Sequence, residues 1–432
     1  MKKYVAGIAS TIVLGTLAVG CGTQAGGSGN STNQSKQNAN LTLAWWTSTL
    51  RTQETNTAIN MFEKANPGIK VTPDYTSWDS YWTKLTTQIA GGQTPDVIQM
   101  DESEIVEYAH NNTITDLRKA GVDLAGLDKK SLSLGKVDGT LYGVPTGVNA
   151  FALLYDPTLL KQSHVSIDPS RSMSWDSFAK LLVQIHQADP KIYGAQDGIE
   201  YLALLEYYAR DNGDQLFSSD GKSLGISKQV MTNWFNYWKS LEANGGVPPA
   251  SFTSSYSYSD MQDNPIVKGM SVFAWAWSNQ LEAFDQTANK NLEMVMLPDY
   301  NSPSKPYYLH PSMYWSISST SKNTAAAVKL VNFLENNSKV AQTFKNDRGV
   351  PINESNRETL RKSSSATDKD QIDFINQVEK IASSDSVEAP AYGQIQDLLV
   401  NVAQQVMLNK TSPSAAATSF IAQANQDLQQ SN

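Results

Sequence analysis

Between residues 41 and 102 the chain alternates strand-length apolar runs with stretches of helical period, and this restricts it to a parallel sheet covered by helices. Leu41-Thr42-Leu43-Ala44-Trp45-Trp46 alternates and then turns aromatic, as a strand leaving a core does. Ala58, Met61, Phe62 and Ala65 recur at helical spacing, and Asn66-Pro67-Gly68 stops that helix. Ile69-Lys70-Val71 reads as a second strand, residues 78–89 as a second helix closed by Gly91-Gly92, and residues 95–100 as a third strand. Ligands of open α/β sheets gather beyond the carboxyl ends of the strands. Trp46, Thr47 and Ser48 occupy one such end; Asp101, Glu102 and Ser103 occupy another.

A second stretch, residues 141–156, organises the middle of the chain. A Gly- and Pro-containing turn region leads into the apolar run 151–155, which Asp156-Pro157 breaks before something helical begins at Thr158. Asn149 opens this run, and an unpaired buried amide costs ~1–3 kcal/mol. It is therefore either a turn residue outside the core or a residue facing a wet cleft where the chain passes between domains. With 432 residues, more than one domain is expected, since single cores rarely grow past ~250–300 residues. Downstream, residues 175–188, 200–210 and 229–243 read as helices and 270–275 as a strand. Ala327, Leu330, Val331 and Leu334 form a helical stripe introduced by Thr320-Ser321, and helices near 371–382 and 394–409 close the chain.

The N-terminus has the layout of a secretory leader: Met1-Lys2-Lys3, an apolar stretch to Gly20, then the sole cysteine, Cys21. One cysteine allows no internal disulfide. Leu17-Ala18-Val19-Gly20-Cys21 resembles a bacterial lipobox, whose cysteine becomes a lipid-modified N-terminus, although Ala18 stands where leucine is usual. Residues 22–40, made of Gly, Ser, Asn, Gln and Thr with almost nothing apolar, read as a flexible tether. Three basic residues (Lys2, Lys3, Lys36) and no acidic ones lie in the first forty, so the body is more acidic than the overall charge of −8. An acidic body argues against a nucleic-acid partner.

Signals for catalysis or metal binding are poor. His110, His164, His186 and His310 lie in separate segments without ligand spacing, and no GxSxG, P-loop or GxGxxG after a strand occurs. Carboxylates are plentiful, but nothing picks out one pair for glycoside hydrolysis. The ten Trp and 18 Tyr are distinctive, clustering at Trp45-Trp46, at Trp78, Tyr81 and Trp82, at Trp275 and Trp277, and at Tyr314-Trp315. Trp45, Trp82, Trp234 and Trp238 read as core. Trp46 and Trp277, at strand exits beside Thr, Ser and Asn, suit the apolar face and hydroxyl rim of a sugar ring.

Trp45-Trp46, residues 91–101 with Pro95-Asp96-Val97, residues 141–160, residues 268–279 and Arg348-Gly349-Val350-Pro351 together carry a resemblance. In this order the chain is similar to family 1 extracellular solute-binding proteins, the sugar-capturing lipoproteins of bacterial ABC importers. The run from Lys268-Gly269-Met270 to Trp275-Ala276-Trp277-Ser278-Asn279 is especially similar to the maltose-binding branch.

The resemblance implies a two-lobe α/β fold of the type II periplasmic-binding-protein class, with a ligand cleft and three hinge crossings near Asn149, Pro311 to Tyr314, and Val350 to Asn353. Lobe one would comprise 41–148 with 313–351, and lobe two 149–312 with 352–432. It implies ligand contacts from Trp46, Thr47, Ser48, Trp78, Asp101, Glu102, Ser103, Asn149, Glu200, Tyr201, Trp275, Trp277, Tyr314, Arg348 and Tyr392, with Arg348 equally able to brace the third hinge. Asn149 departs from the acidic residue frequent there in maltose-type proteins. The implied function is capture of a carbohydrate, a neutral oligosaccharide, for delivery to a membrane permease. The implied protein is a monomer without cofactor, metal or catalytic residues, lipid-anchored through Cys21 to the outer face of the cytoplasmic membrane. A secreted glycoside-active enzyme, or the same scaffold holding a non-sugar solute, are the alternatives.

Overall fold

The computed structural model describes residues 38–430 apart from 170, 219, 257–259, 301–304 and 384–390. The expected leader, Cys21 and nearly all of the tether lie outside the described residues. Strands β1 (Ala39–Trp46), β2 (Ile69–Thr76) and β3 (Val97–Met100) alternate with helices Thr49–Ala65 and Trp78–Ala90, as the sequence pattern predicts. A short hairpin, β4 (Lys136–Val137) and β5 (Thr140–Leu141), precedes β6 (Val144–Asn149) and β7 (Phe151–Tyr155). Then come β8 (Tyr193–Ala195), β9 (Ser271–Trp277), β10 (Glu293–Val295) and β11 (His310–Ile317).

Besides the β4-β5 hairpin, the described strands form two sheets, ordered β2-β1-β3-β11-β6 and β10-β7-β9-β8. In the first, β1 runs parallel to β2 and β3, while β11 is antiparallel to both β3 and β6. The carboxyl ends of β1, β2, β3 and β6 therefore lie along one edge, beside the start of β11. Strand β1 shows why this sheet is a filled layer. Leu41, Leu43 and Trp45 bury one face, and Ala44 and Trp46 bury the other, in a separate cluster with Tyr81 and Met100.

The chain passes between the two sheets twice, and a third segment leads from the first sheet's helices towards a helix packed on β10. First, β6 ends at Asn149 and β7 starts at Phe151, so only Ala150 separates them; its N–H donates to Ser278 Oγ at 3.2 Å. The residues before Asn149, expected only as a turn region, form a strand of their own. Second, the chain goes from β10 to β11 before His310, so the expected crossing segment at Pro311 to Tyr314 lies inside β11. Third, Val350 pairs with Val148 through two backbone hydrogen bonds of 2.9 Å before the chain enters helix Glu354–Ser363. Gly147 permits this approach, because a Cβ there would stand 2.2 Å from the Arg348 carbonyl oxygen. Gly349 has φ +78°, where a side chain is strained.

Three further differences have local causes. Strand β9 continues to Trp277 because it pairs with β7 along the whole of Phe151 to Tyr155. Helix Thr324–Asn336 starts after Asn323, since Ser321 Oγ instead donates to Asp96 Oδ1 at 2.5 Å. A helix missing from the sequence reading, Pro413–Gln430, closes the chain and buries Ala416, Ala417, Phe420, Ala424 and Leu428, packing beside helix Lys228–Ala243. Trp45, Trp234 and Trp238 are fully buried as expected, whereas Trp82 is only partly so.

Candidate functional site

A cavity of about 450 Å³ lies at the start of β7 and the end of β9, beside the start of β11, within the usual ~300–1,000 Å³ of small-molecule sites. Its aromatic wall follows from strand register. Phe151, first in β7, is paired with Trp277, last in β9, and their rings meet edge to face with centroids 5.3 Å apart. Trp277 also lies 4.8 Å from the His310 ring and 6.5 Å from that of Tyr308. Trp275, two residues earlier on the same side of β9, is 1% exposed. It packs against Phe178 and Trp238, each at 5.8 Å, and its Nε1 donates to the Gln196 carbonyl at 2.9 Å. Trp277 thus meets the cavity half-buried, and Trp275 holds the strand beneath it.

The polar lining is ordered by hydrogen bonds. Gln196 Nε2 donates to Tyr201 Oη at 2.6 Å, and its Oε1 accepts from Asn264 Nδ2 at 3.0 Å. Gln280 Oε1 accepts the Trp277 backbone N–H at 2.9 Å. Gln396 is held by the Leu202 N–H and the Glu200 carbonyl, at 3.0 and 2.8 Å. Glu206, on helix Leu202–Asp211, accepts from Tyr308 Oη at 3.1 Å and lies 3.6 Å from Arg210. Burial raises Glu206 to about 7, a shift that Arg210 and Tyr308 oppose. Among the cavity's lining residues there is no Lys or Arg. From the first sheet's side, Glu102 Oε2 meets His310 Nδ1 at 3.1 Å.

Of the residues singled out in the sequence, Tyr201, Trp275, Trp277 and Tyr392 line this cavity, and Glu102 reaches its rim through His310. The others are placed elsewhere. Ser48 and Asp101 are helix N-caps, accepting the N–H of Arg51 at 3.3 Å and of Ser103 at 3.1 Å. Ser103 also donates to Asp101 through its hydroxyl, and Thr47 donates to the Ser48 carbonyl at 2.7 Å. Trp46 is covered by Trp78, Tyr81 and Trp82, while Trp78 remains 42% exposed. Tyr314 is buried in the first sheet's core and donates to the Leu134 carbonyl.

Asn149 donates to Ser312 Oγ at 2.7 Å, joining β6 to β11, and its buried Oδ1 has no hydrogen-bond partner. Glu200 is buried beside Gln404, and this burial raises it to about 7. Arg348 is fully enclosed: Nη2 donates to Thr55 Oγ1 at 2.7 Å and the guanidinium lies 4.2 Å from the Phe344 ring. Of its two readings, the geometry fits a brace behind the third expected crossing. Phe151, Glu206, Asn264, Gln280, Tyr308, His310 and Gln396 were missed. The i, i+4 spacing of Glu206 and Arg210 was the one signal available for any of them. Among the described residues no group of three or more His, Cys, Asp or Glu side chains could hold a metal ion.

Residues 57–370 match the sequence profile described as bacterial extracellular solute-binding protein. An extracellular solute-binding protein family 1 structure from Alicyclobacillus acidocaldarius is 30% identical, superposes with a TM-score of 0.80, and aligns over 90% of this chain and 98% of that one. A periplasmic oligogalacturonide-binding protein from Yersinia enterocolitica is 23% identical with a TM-score of 0.75, over 91% of this chain and 99% of that one. A curated binding protein of Brucella abortus is 24% identical over 374 residues, 84% of this chain and 87% of the relative. Two sheets linked at β6–β7 and β10–β11, a cavity beside those links and a family profile over most of the chain lead to one assignment: the protein belongs to the bacterial extracellular solute-binding proteins.

Proposed function

We propose that the chain is the ligand-capturing component of an ABC importer and that its ligand is a neutral oligosaccharide, passed to a membrane permease without chemical change. The observation that carries this reading is the cavity wall. Trp277 and Phe151 offer an apolar platform, with Asn264, Gln280, Gln396 and Glu206 around it and no Lys or Arg in the lining. Amides and carboxylates suit the hydroxyl rim of a pyranose, because together they donate to and accept from neighbouring hydroxyls. A carboxylated sugar would find no Lys or Arg in the lining, and the nearby Arg210 and His310 already face Glu206 and Glu102, so its desolvated charge would go uncompensated. The Yersinia relative's oligogalacturonide supports a saccharide ligand; that saccharide is acidic, so the choice of a neutral one rests on the lining of this cavity.

Residues 41–148 with 313–351 would form one lobe and 149–312 with 352–432 the other, with ligand favouring their closure. Cys21 would anchor the chain by lipid to the outer face of the cytoplasmic membrane, as a monomer. Isothermal titration of the mature protein against neutral and uronic oligosaccharides tests the ligand assignment. Binding of a neutral series is the expected result; binding of uronates alone overturns it.

A further inference from the structure

We infer that Glu102 and His310 are positioning residues that hold the Trp277 ring through a proton-dependent contact, so that sugar binds more tightly as the pH falls. This rests on the saccharide reading above. Among the described residues, His310 is the one member of the cavity lining that belongs to a strand of the first sheet. Antiparallel pairing of Met100 with Tyr314 sets the end of β3 beside the start of β11. Glu102, first in helix Glu102–His110, thereby reaches His310, with its Oε2 3.1 Å from Nδ1 and the two side chains 15% and 30% exposed. The imidazole also lies against Trp277 of the second sheet, with 4.8 Å between ring centroids and 33° between the planes. It therefore stands between a carboxylate of the first sheet's helices and the indole on which the sugar is proposed to stack.

The charge on the imidazole sets the strength of both contacts. Imidazole gains its proton between about pH 8 and about pH 5. Once charged, it forms an ion pair with Glu102 and a cation–π contact with an indole inside the ~6 Å that such contacts require. Both tie the first sheet to Trp277, and a ring already held in place loses less freedom when a sugar settles on it. Affinity is therefore highest below the imidazole's titration and falls as the pH rises through it. Glu206 and Arg210, from helix Leu202–Asp211, face the same place, as do Tyr308 just before β11 and Tyr392 at the start of helix Tyr392–Met407. Burial pushes the Tyr308 hydroxyl well up, so it keeps its proton throughout. Glu206 is raised to about 7 by burial, a rise that Glu102 adds to and His310 opposes, so it titrates in the same window and has to be separated from His310.

The experiment is titration calorimetry of wild type, His310→Gln and Glu102→Gln at about pH 5.5 and about pH 8, either side of the imidazole's titration. The probes are maltotetraose, cellotetraose and xylotetraose, neutral sugars that do not titrate in this range. With whichever binds, wild type should bind about three- to tenfold more tightly at the lower pH, the scale of one partly exposed ion pair and one cation–π contact. Between those limits it should take up protons on binding, seen as a heat that differs between phosphate and Tris buffers. His310→Gln should lose both the ratio and the uptake, and Glu102→Gln should shrink them. Equal wild-type affinities at the two pH values overturn the inference. Variants that weaken binding equally at both pH values and keep the wild-type ratio also overturn it, and assign the titration to Glu206. Should His310→Gln not fold, Glu102→Gln decides in the same way. Failure of wild type to bind any neutral oligosaccharide at either pH overturns the proposed function and this inference with it, a result distinct from pH-independent binding.

Discussion

Replacing Trp277 with alanine separates affinity from folding. The side chain is half-buried, and its neighbours in the cavity are Phe151, Tyr308 and His310. Its backbone N–H keeps the Gln280 hydrogen bond after truncation, so β9 should hold its course. A ring face covering ~80 Å² of apolar ligand and protein surface contributes ~2 kcal/mol at ~25 cal/mol per Å². That exceeds the ~0.5–1.5 kcal/mol of a neutral hydrogen bond and corresponds to roughly 30-fold in affinity. Trp275→Ala makes the contrast. That ring is fully enclosed between Phe178 and Trp238, so its removal should cost ~3–5 kcal/mol of stability. Calorimetry with the bound sugar and urea unfolding of both variants are the assays. Wild-type affinity in a folded Trp277→Ala protein would refute the stacking argument.

Glu200→Gln should change how stability depends on pH. Burial raises its carboxyl from 4.5 to about 7, so the native state holds a proton that the unfolded chain releases across that window. Stability should fall by ~2–3 kcal/mol as pH rises from 4.5 to about 7, then level off, and the variant should flatten that slope in urea titrations; an unchanged slope contradicts the assignment. Asn149→Ala should cost ~1 kcal/mol of stability through loss of the Ser312 contact, with little effect on affinity, since Asn149 lies outside the cavity lining; a tenfold affinity loss would return it to the ligand. Cys21→Ala should release the protein from membranes or leave an unprocessed precursor, as fractionation and mass spectrometry would show; retention with normal processing contradicts the anchor.

The fold was legible because its elements obey simple periods. Residues 151–155 and 175–188 stand as β7 and as helix Trp175–Ala188 with the expected ends, since an Asp-Pro break and the Ser174 cap sit at their boundaries. Helix Pro413–Gln430 escaped because alanines, with only Phe420 and Leu428 as large apolar residues, supply its buried stripe. The site was legible only in part. Tryptophans at a strand exit are conspicuous in sequence, but Tyr308, His310 and Asn264 reach the cavity from segments far apart in the chain. Ser48 and Asp101 carry a role that the sequence reading did not weigh. Strand ends that approach a ligand cleft also start helices, and a Ser or Asp there is consumed by capping.

The central claim is that the cavity at Trp277 takes an uncharged saccharide. Titration of the mature protein with neutral oligosaccharides and their uronate counterparts of matched length and linkage measures it directly. The account predicts saturable heat with a neutral series, weakened roughly 30-fold by Trp277→Ala, and little or none with the uronates. Tight binding of the uronates with no response to any neutral sugar would contradict it.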